Sequence, residues 1–257
     1  MKKSNKNYLW VSILAVALFL LAWYLATDVF HLFRAAMLPS PVVVVKSLFK
    51  KMVSTMPDGG TLFQHIGASL VVALTGYLLG VVVGIPVGIF MAWFKAVDNL
   101  VRPIFDFLRT IPGIAWIPVF TVWLGIGLEA KAAIIFVGVF VGTVVNVYSG
   151  IKQTSEVHIW VAQIFGAGKM EILWRIAVPS ALPQIFTGLR VSCGMAWLGL
   201  IAAELIAAKR GLGFMIQVAR NFGRSDLVIV GMITIGVIGA VLTLGLEAIE
   251  KKVVKGR

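Results

Sequence analysis

Six stretches of the chain run for about twenty residues with almost no charge, and charged or turn-forming residues cluster between them. They cover residues 8–26, 67–93, 100–124, 131–150, 184–208 and 227–248. A hydrocarbon layer roughly 30 Å thick takes about 20 apolar residues per helix, so each stretch predicts one crossing. The third is irregular. It contains Asp106, Arg109, Pro103, Pro112 and Pro118, which predicts a short helix, a break and a second helical piece. The first follows Lys2, Lys3 and Lys6, as a secretory signal would, but its length and the bulky Tyr24 near its end predict an uncleaved anchor. Residues 41–53 place Lys46, Lys50 and Lys51 among valines and Phe49, the pattern of a helix lying along the bilayer surface. The predicted architecture is all-α: a polytopic membrane protein with six transmembrane helices, one domain over residues 1–257.

Composition strengthens this picture. The 257 residues are 60% hydrophobic and only 13% charged, with mean hydropathy +0.97, which excludes a water-soluble globular domain. Cys193 has no partner in the chain, so a disulfide scaffold is excluded too. A net charge of +12 would suggest nucleic acid in a soluble protein. Here it reads as cationic loops beside anionic membrane lipid, with no nucleic-acid partner. Lys and Arg are richer on the side that holds both ends and the loops near Lys95 and Lys169, which predicts both termini in the cytoplasm. No glycine-rich phosphate loop ending in Gly-Lys-Ser/Thr occurs, so any nucleotide hydrolysis belongs to another chain. An intramembrane enzyme would need paired aspartates or a His-Glu-x-x-His set. His31, His65 and His158 lie outside the predicted spans, and neither a catalytic nor a metal site is expected. A channel or self-powered carrier would more typically show inverted repeats, and none is visible.

Within the second span Gly76, Gly80, Gly84 and Gly88 recur every four residues, stacking on one helix face as a groove for another backbone. Packing inside one subunit is the favoured reading over a subunit interface. The fourth span repeats the device with Gly138, Gly142, Asn146 and Gly150. Asn146 needs hydrogen-bond partners, either in an interhelical bond or along a solute path. Asp106 and Arg109 share a helix face and can pair. Glu204, near the outer end of its span, calls for a partner such as Lys131 or a wet cavity, while Arg190 can snorkel. Arg109, Asn146, Glu204 and Trp197 are the candidates for a translocation path, with structural roles as the alternative.

The most informative segment is the loop 151–183. From Ile159 to Ala177 its apolar residues fall at helical spacing around Gly166-Ala167-Gly168, predicting two short helices at a bend, with Pro179 and Pro183 closing the loop before the fifth span. A docking surface and a solvated hairpin both fit this pattern. The residues resemble the coupling loop of inner-membrane permease subunits of binding-protein-dependent ABC importers, whose motif runs Glu-Ala-Ala, three residues, Gly, nine residues, Ile-x-Leu-Pro. Ala162, Gly166, Ile176 and Pro179 hold that spacing, with Trp160, Val161 and Val178 standing for the usual Glu, Ala and Leu. The run from Trp160 through Ala167, Gly168 and Lys169 to Pro179 then corresponds to the surface that grips the ATPase.

The likeness continues along the chain. Leu38-Pro39-Ser40-Pro41, Arg109-Thr110-Ile111-Pro112, Trp123-Leu124-Gly125-Ile126-Gly127, Thr187-Gly188-Leu189-Arg190, and Glu204 with Gly211-Leu212-Gly213 are similar to the branch importing nitrate, aliphatic sulfonates and taurine. The resemblance implies a permease of the bacterial inner membrane, working by alternating access with a second permease copy as homodimer. Its partners would be two cytoplasmic ABC ATPases, which carry ATP and Mg, and a periplasmic or lipid-anchored substrate-binding protein. This chain would bind no cofactor itself. A small anion is the expected solute; thiamine-precursor or riboflavin-like molecules are carried by similar permeases.

Overall fold

The computed structural model describes residues 5–206 and 208–255. The basic Lys2, Lys3 and Arg257, and Ala207 of the predicted fifth span, lie outside the described residues. Eleven helices follow one another: α1 (Asn5–Tyr24), α2 (Pro41–Val53), α3 (Leu62–Trp93), α4 (Lys95–Arg109), α5 (Ile117–Leu124), α6 (Leu128–Lys152), α7 (Glu156–Ile164), α8 (Lys169–Ile172), α9 (Val178–Ile206), α10 (Leu212–Asn221) and α11 (Ser225–Lys255). Five of the apolar helices are long enough to cross a membrane, and α4 with the piece from Gly113 to Leu124 makes a sixth, bent by 87°. That bend is the predicted break, at Pro112 and a 3-10 turn.

The core is a three-helix sheaf with α6 in the middle. Glycines 76, 80, 84 and 88 of α3 receive Ile135, Val139, Thr143 and Val147 of α6, so tightly that a Cβ on Gly80 would stand 2.6 Å from Val139. Glycine and knob advance together by four residues, so α3 and α6 run parallel. On the other side of α6 the order reverses: Gly142 faces Ser192, Asn146 faces Gly188 and Gly150 faces Gln184, so α9 runs antiparallel. Gly138 alone of that row meets nothing. Small residues thus serve close approach within one subunit, where apolar lipid offers no other drive for helices to associate.

Three local outcomes differ from expectation. The prolines at 179 and 183 do not close a loop: helix runs from α8 through a π-helical turn (Leu173–Ala177) into α9, with Pro183 inside it. Pro179 falls in the first turn of α9, and nearby Ser180 and Thr187 hydroxyls donate to the Ile176 and Pro183 carbonyls. Helix α2 forms as predicted, but Lys51 turns inward and is 1% exposed. Its Nζ donates to Asp58 Oδ1 at 2.6 Å and to the carbonyls of Met56 and Gly60, which satisfies all three donors. Arg190 does not merely snorkel; it pairs with Glu250 of α11 at 3.2 Å. From Trp10 onward helix α1 is exposed almost throughout, and the Trp23 indole ties it down by donating to the Pro39 carbonyl.

Candidate functional site

The hairpin 151–183 has a buried root and a bare tip. At the root Leu173 and Ala177 are buried among Ile89, Ala92, Val147, Ile151, Ala181 and Ile185, and Ile172 is buried as well. Ile176 and Pro179 sit half-buried there. Helix α7 carries the tip. It ends at Gly166, whose φ of +81° suits a residue without a side chain, and the Ala167 amide donates back to the Ala162 carbonyl at 3.0 Å. Along its outer side Val157, Trp160, Val161, Ile164 and Phe165 stand in the open, Phe165 85% exposed. An apolar helix face of this kind marks an interaction site. Because α8, the π-helical turn and α9 form one continuous rod, a push on the tip is carried into the bundle.

The four residues predicted for a translocation path are not brought together. Trp197 is buried against Gly239, its Nε1 donating to the Ile235 carbonyl of α11 at 3.1 Å. Among the described residues Asn146 makes no interhelical hydrogen bond; its amide donates to the Gly142 carbonyl of its own helix at 2.8 Å, and its side chain packs on Gly188. Arg109 pairs with Asp106 at 3.1 Å, both roughly half exposed. These two open on a cleft of about 150 Å³ with Arg102, Tyr148 and Ser149. There Arg102 forks onto Asp98 and reaches the Tyr148 hydroxyl. The Asp98–Arg102 pair is four residues apart on one helix, a spacing the sequence displayed and the reading of that span passed over.

Glu204 is 1% exposed; its hydrogen-bond partners are Ser69 and a backbone amide, and Lys131 acts on its charge through space. Ser69 Oγ donates to its carboxylate at 2.8 Å and the Gly213 amide does so at 2.9 Å. The next amides back are also taken by side chains of other helices: Leu212 N donates to Ser69 Oγ, and Gly211 N to His65 Nδ1. Three amides at the start of α10, which lack carbonyl partners within it, are thus capped from α9 and α3. Gly211 is obligatory: at φ +130° its Cβ would fall 2.1 Å from the Glu204 carboxylate. His65, expected outside the spans, lies in the first turns of α3, fully buried, with Nε2 donating to Asp58. A second lock ties α2 to α11. Ser47 donates to Asp226, and Arg224 forks onto the same carboxylate, which holds the Arg224 guanidinium above its ordinary pKa.

Fold and site define a polytopic helical membrane subunit that presents an apolar helical hairpin outside its bundle. Residues 84–255 match the family described as binding-protein-dependent transport system inner membrane component. The taurine transport system permease protein of Escherichia coli (strain K12) is 37% identical over 94% of this chain and 88% of its own length. An aliphatic sulfonates permease of Bacillus subtilis (strain 168), itself named putative, is 31% identical over 100% and 91%. The nitrate import permease protein of a Synechocystis strain is 30% identical over 93% and 87%. A chain of the inward-facing MetNI methionine ABC transporter shares the fold, with TM-score 0.63 and 20% identity over 76% of this chain and 95% of that one. The chain belongs to the family of inner-membrane components of binding-protein-dependent transport systems, multi-pass permease subunits.

Proposed function

We propose that this permease works as one of two identical copies enclosing a path for a small strong-acid oxyanion, with taurine and other sulfonates ahead of nitrate. The observation that carries the coupling part is the bare apolar side of α7 on a hairpin rooted in α9. A groove on a cytoplasmic ATPase would cover it, and the ATPase would bind ATP and Mg. Closing of two ATPases would draw two hairpins together and open the path to a loaded binding protein on the other face; hydrolysis would reset it. Both termini then lie in the cytoplasm.

The solute assignment draws on the named relatives and on the charged side of α4. Asp98, Arg102, Asp106 and Arg109 sit within a membrane-crossing segment yet are partly open on the single chain. Charge there needs water or a second subunit rather than lipid. Purification from the native host in mild detergent, followed by mass spectrometry, tests the assembly: a stoichiometric ATPase with a phosphate-loop lysine is expected. A homo-oligomer that brings no ATPase at any salt refutes it. Competition for uptake by the reconstituted complex then ranks taurine, alkanesulfonates and nitrate.

A further inference from the structure

Two clefts near the root of the hairpin lie off the exposed side of α7 and off the candidate path, although Lys169, of the run compared above with an ATPase-gripping surface, lines the first. The first, about 540 Å³, lies between α7–α8 and the α3–α4 turn. Three lysines from separate elements line it: Lys95 at the start of α4, Lys152 at the end of α6 and Lys169 at the start of α8. None has an ion-pair partner among the described residues, and Lys152 Nζ stands 5.7 Å from the Tyr148 ring centre. Glu156 is the one acid lining the cleft, so its charge is positive. Thr154, 9% exposed, also lines the cleft. Three ammonium groups without an ion-pair partner around one cleft favour an oxyanion as its occupant.

The second cleft, about 320 Å³, is lined by aliphatic and aromatic side chains alone, among them Ile85, Phe90, Val178, Leu182 and Phe186. Phe90 of this cleft stacks on Phe94 of the first, ring centres 6.1 Å apart, so the two adjoin along the end of α3. Trp93 flanks the junction, as indoles do at a membrane surface. Cationic head space beside apolar tail space is the shape of a phospholipid. A free phosphate would satisfy the lysines and leave the second cleft unexplained.

We infer that an anionic phospholipid of the cytoplasmic leaflet binds here, its phosphate among Lys95, Lys152 and Lys169 and an acyl chain along Ile85, Phe90 and Phe186. Glu156, Ile159 and Gln163, on the side of α7 away from its docking face, line the head space, so the lipid braces the coupling hairpin against the bundle. Placing the hairpin at the cytoplasmic surface rests on the proposed function; the test below involves no ATPase, so lipid binding and ATPase docking fail separately.

The test is native mass spectrometry of the full chain in detergent, titrated with phosphatidylglycerol or phosphatidylcholine. One retained phosphatidylglycerol is expected, held about tenfold or more tightly than phosphatidylcholine, since lysines beside the head group favour an anionic lipid. Joint replacement Lys95→Gln, Lys152→Gln and Lys169→Gln removes the preference, and the corresponding triple change to Arg restores it. Leu182→Trp, which fills the apolar cleft, weakens retention with the lysines intact. Equal retention of the two lipids, or an unchanged preference in the Gln variant, overturns the proposal. So does displacement by millimolar inorganic phosphate with Leu182→Trp binding normally, which would mark a site for a free anion.

Discussion

Gly211→Ala tests whether the cap over α10 holds that end of the bundle together. The new methyl group meets two obstacles. The backbone there, φ +130° and ψ 169°, is close to glycine-only, which costs about 1–3 kcal/mol. Its Cβ would also stand 2.1 Å from one carboxylate oxygen of Glu204 and 2.5 Å from the other, so the carboxylate must leave. Departure strips the Gly213 amide and the Ser69 hydroxyl of their acceptor in a site closed to water, about 1–3 kcal/mol for each group. Together the loss is about 3–9 kcal/mol, which for a chain of this size lowers the unfolding midpoint by roughly ten degrees or more. Cys193, buried and the sole cysteine, provides the readout: a thiol-reactive fluorophore lights up as heating exposes it. The same substitution in a Glu204→Ala background should cost only the backbone part, because nothing remains to collide with. Equal destabilisation with and without Glu204 would refute the reasoning.

Four further outcomes are expected. Gly166→Leu, strained at φ +81° but facing open space, should leave the chain in the membrane and abolish ATPase co-purification; an unchanged ATPase yield would sink the docking assignment. Gly80→Leu must displace Val139 and should cost about 3 kcal/mol, read as early Cys193 labelling, whereas Gly67→Leu, with nothing within 4 Å, should behave as the parent. Lys51→Met strands Asp58 without its buried cation and should cost about 3–5 kcal/mol, part of which Asp58→Asn in the same chain recovers when midpoints are compared. Arg109→Gln should lower solute uptake by the reconstituted complex while ATPase co-purification stays constant; uptake at the parental rate would remove Arg109 from the path.

Much of the coupling hairpin was legible before any fold was known, because its bend needs a glycine at one position and its exposed side needs apolar residues at helical spacing. The prolines misled. Pro179 and Pro183 read as loop punctuation, yet helix runs through both, since a membrane helix tolerates proline where neighbouring helices and a local π-helical turn accommodate the backbone. The candidate path was the least legible part. Asn146, Trp197 and Glu204 stood out as polar or aromatic groups in apolar runs, but polarity alone does not say whether a group faces solute or a neighbouring helix.

Local sequence alone set the all-helical, multi-span character of the chain, the break in the third apolar stretch, and the small-residue rows of α3 and α6. Each of these is a local property, set by about twenty residues measured against a hydrocarbon layer or by a four-residue repeat on one helix. Tertiary structure decided which helix each row receives, that Lys51 and His65 turn inward, and that Glu204 caps α10. Ser69 and Glu204 stand 135 positions apart, and Ser47 and Asp226 stand 179 apart. A buried polar group must find its partner wherever folding delivers one, and no local pattern encodes that address.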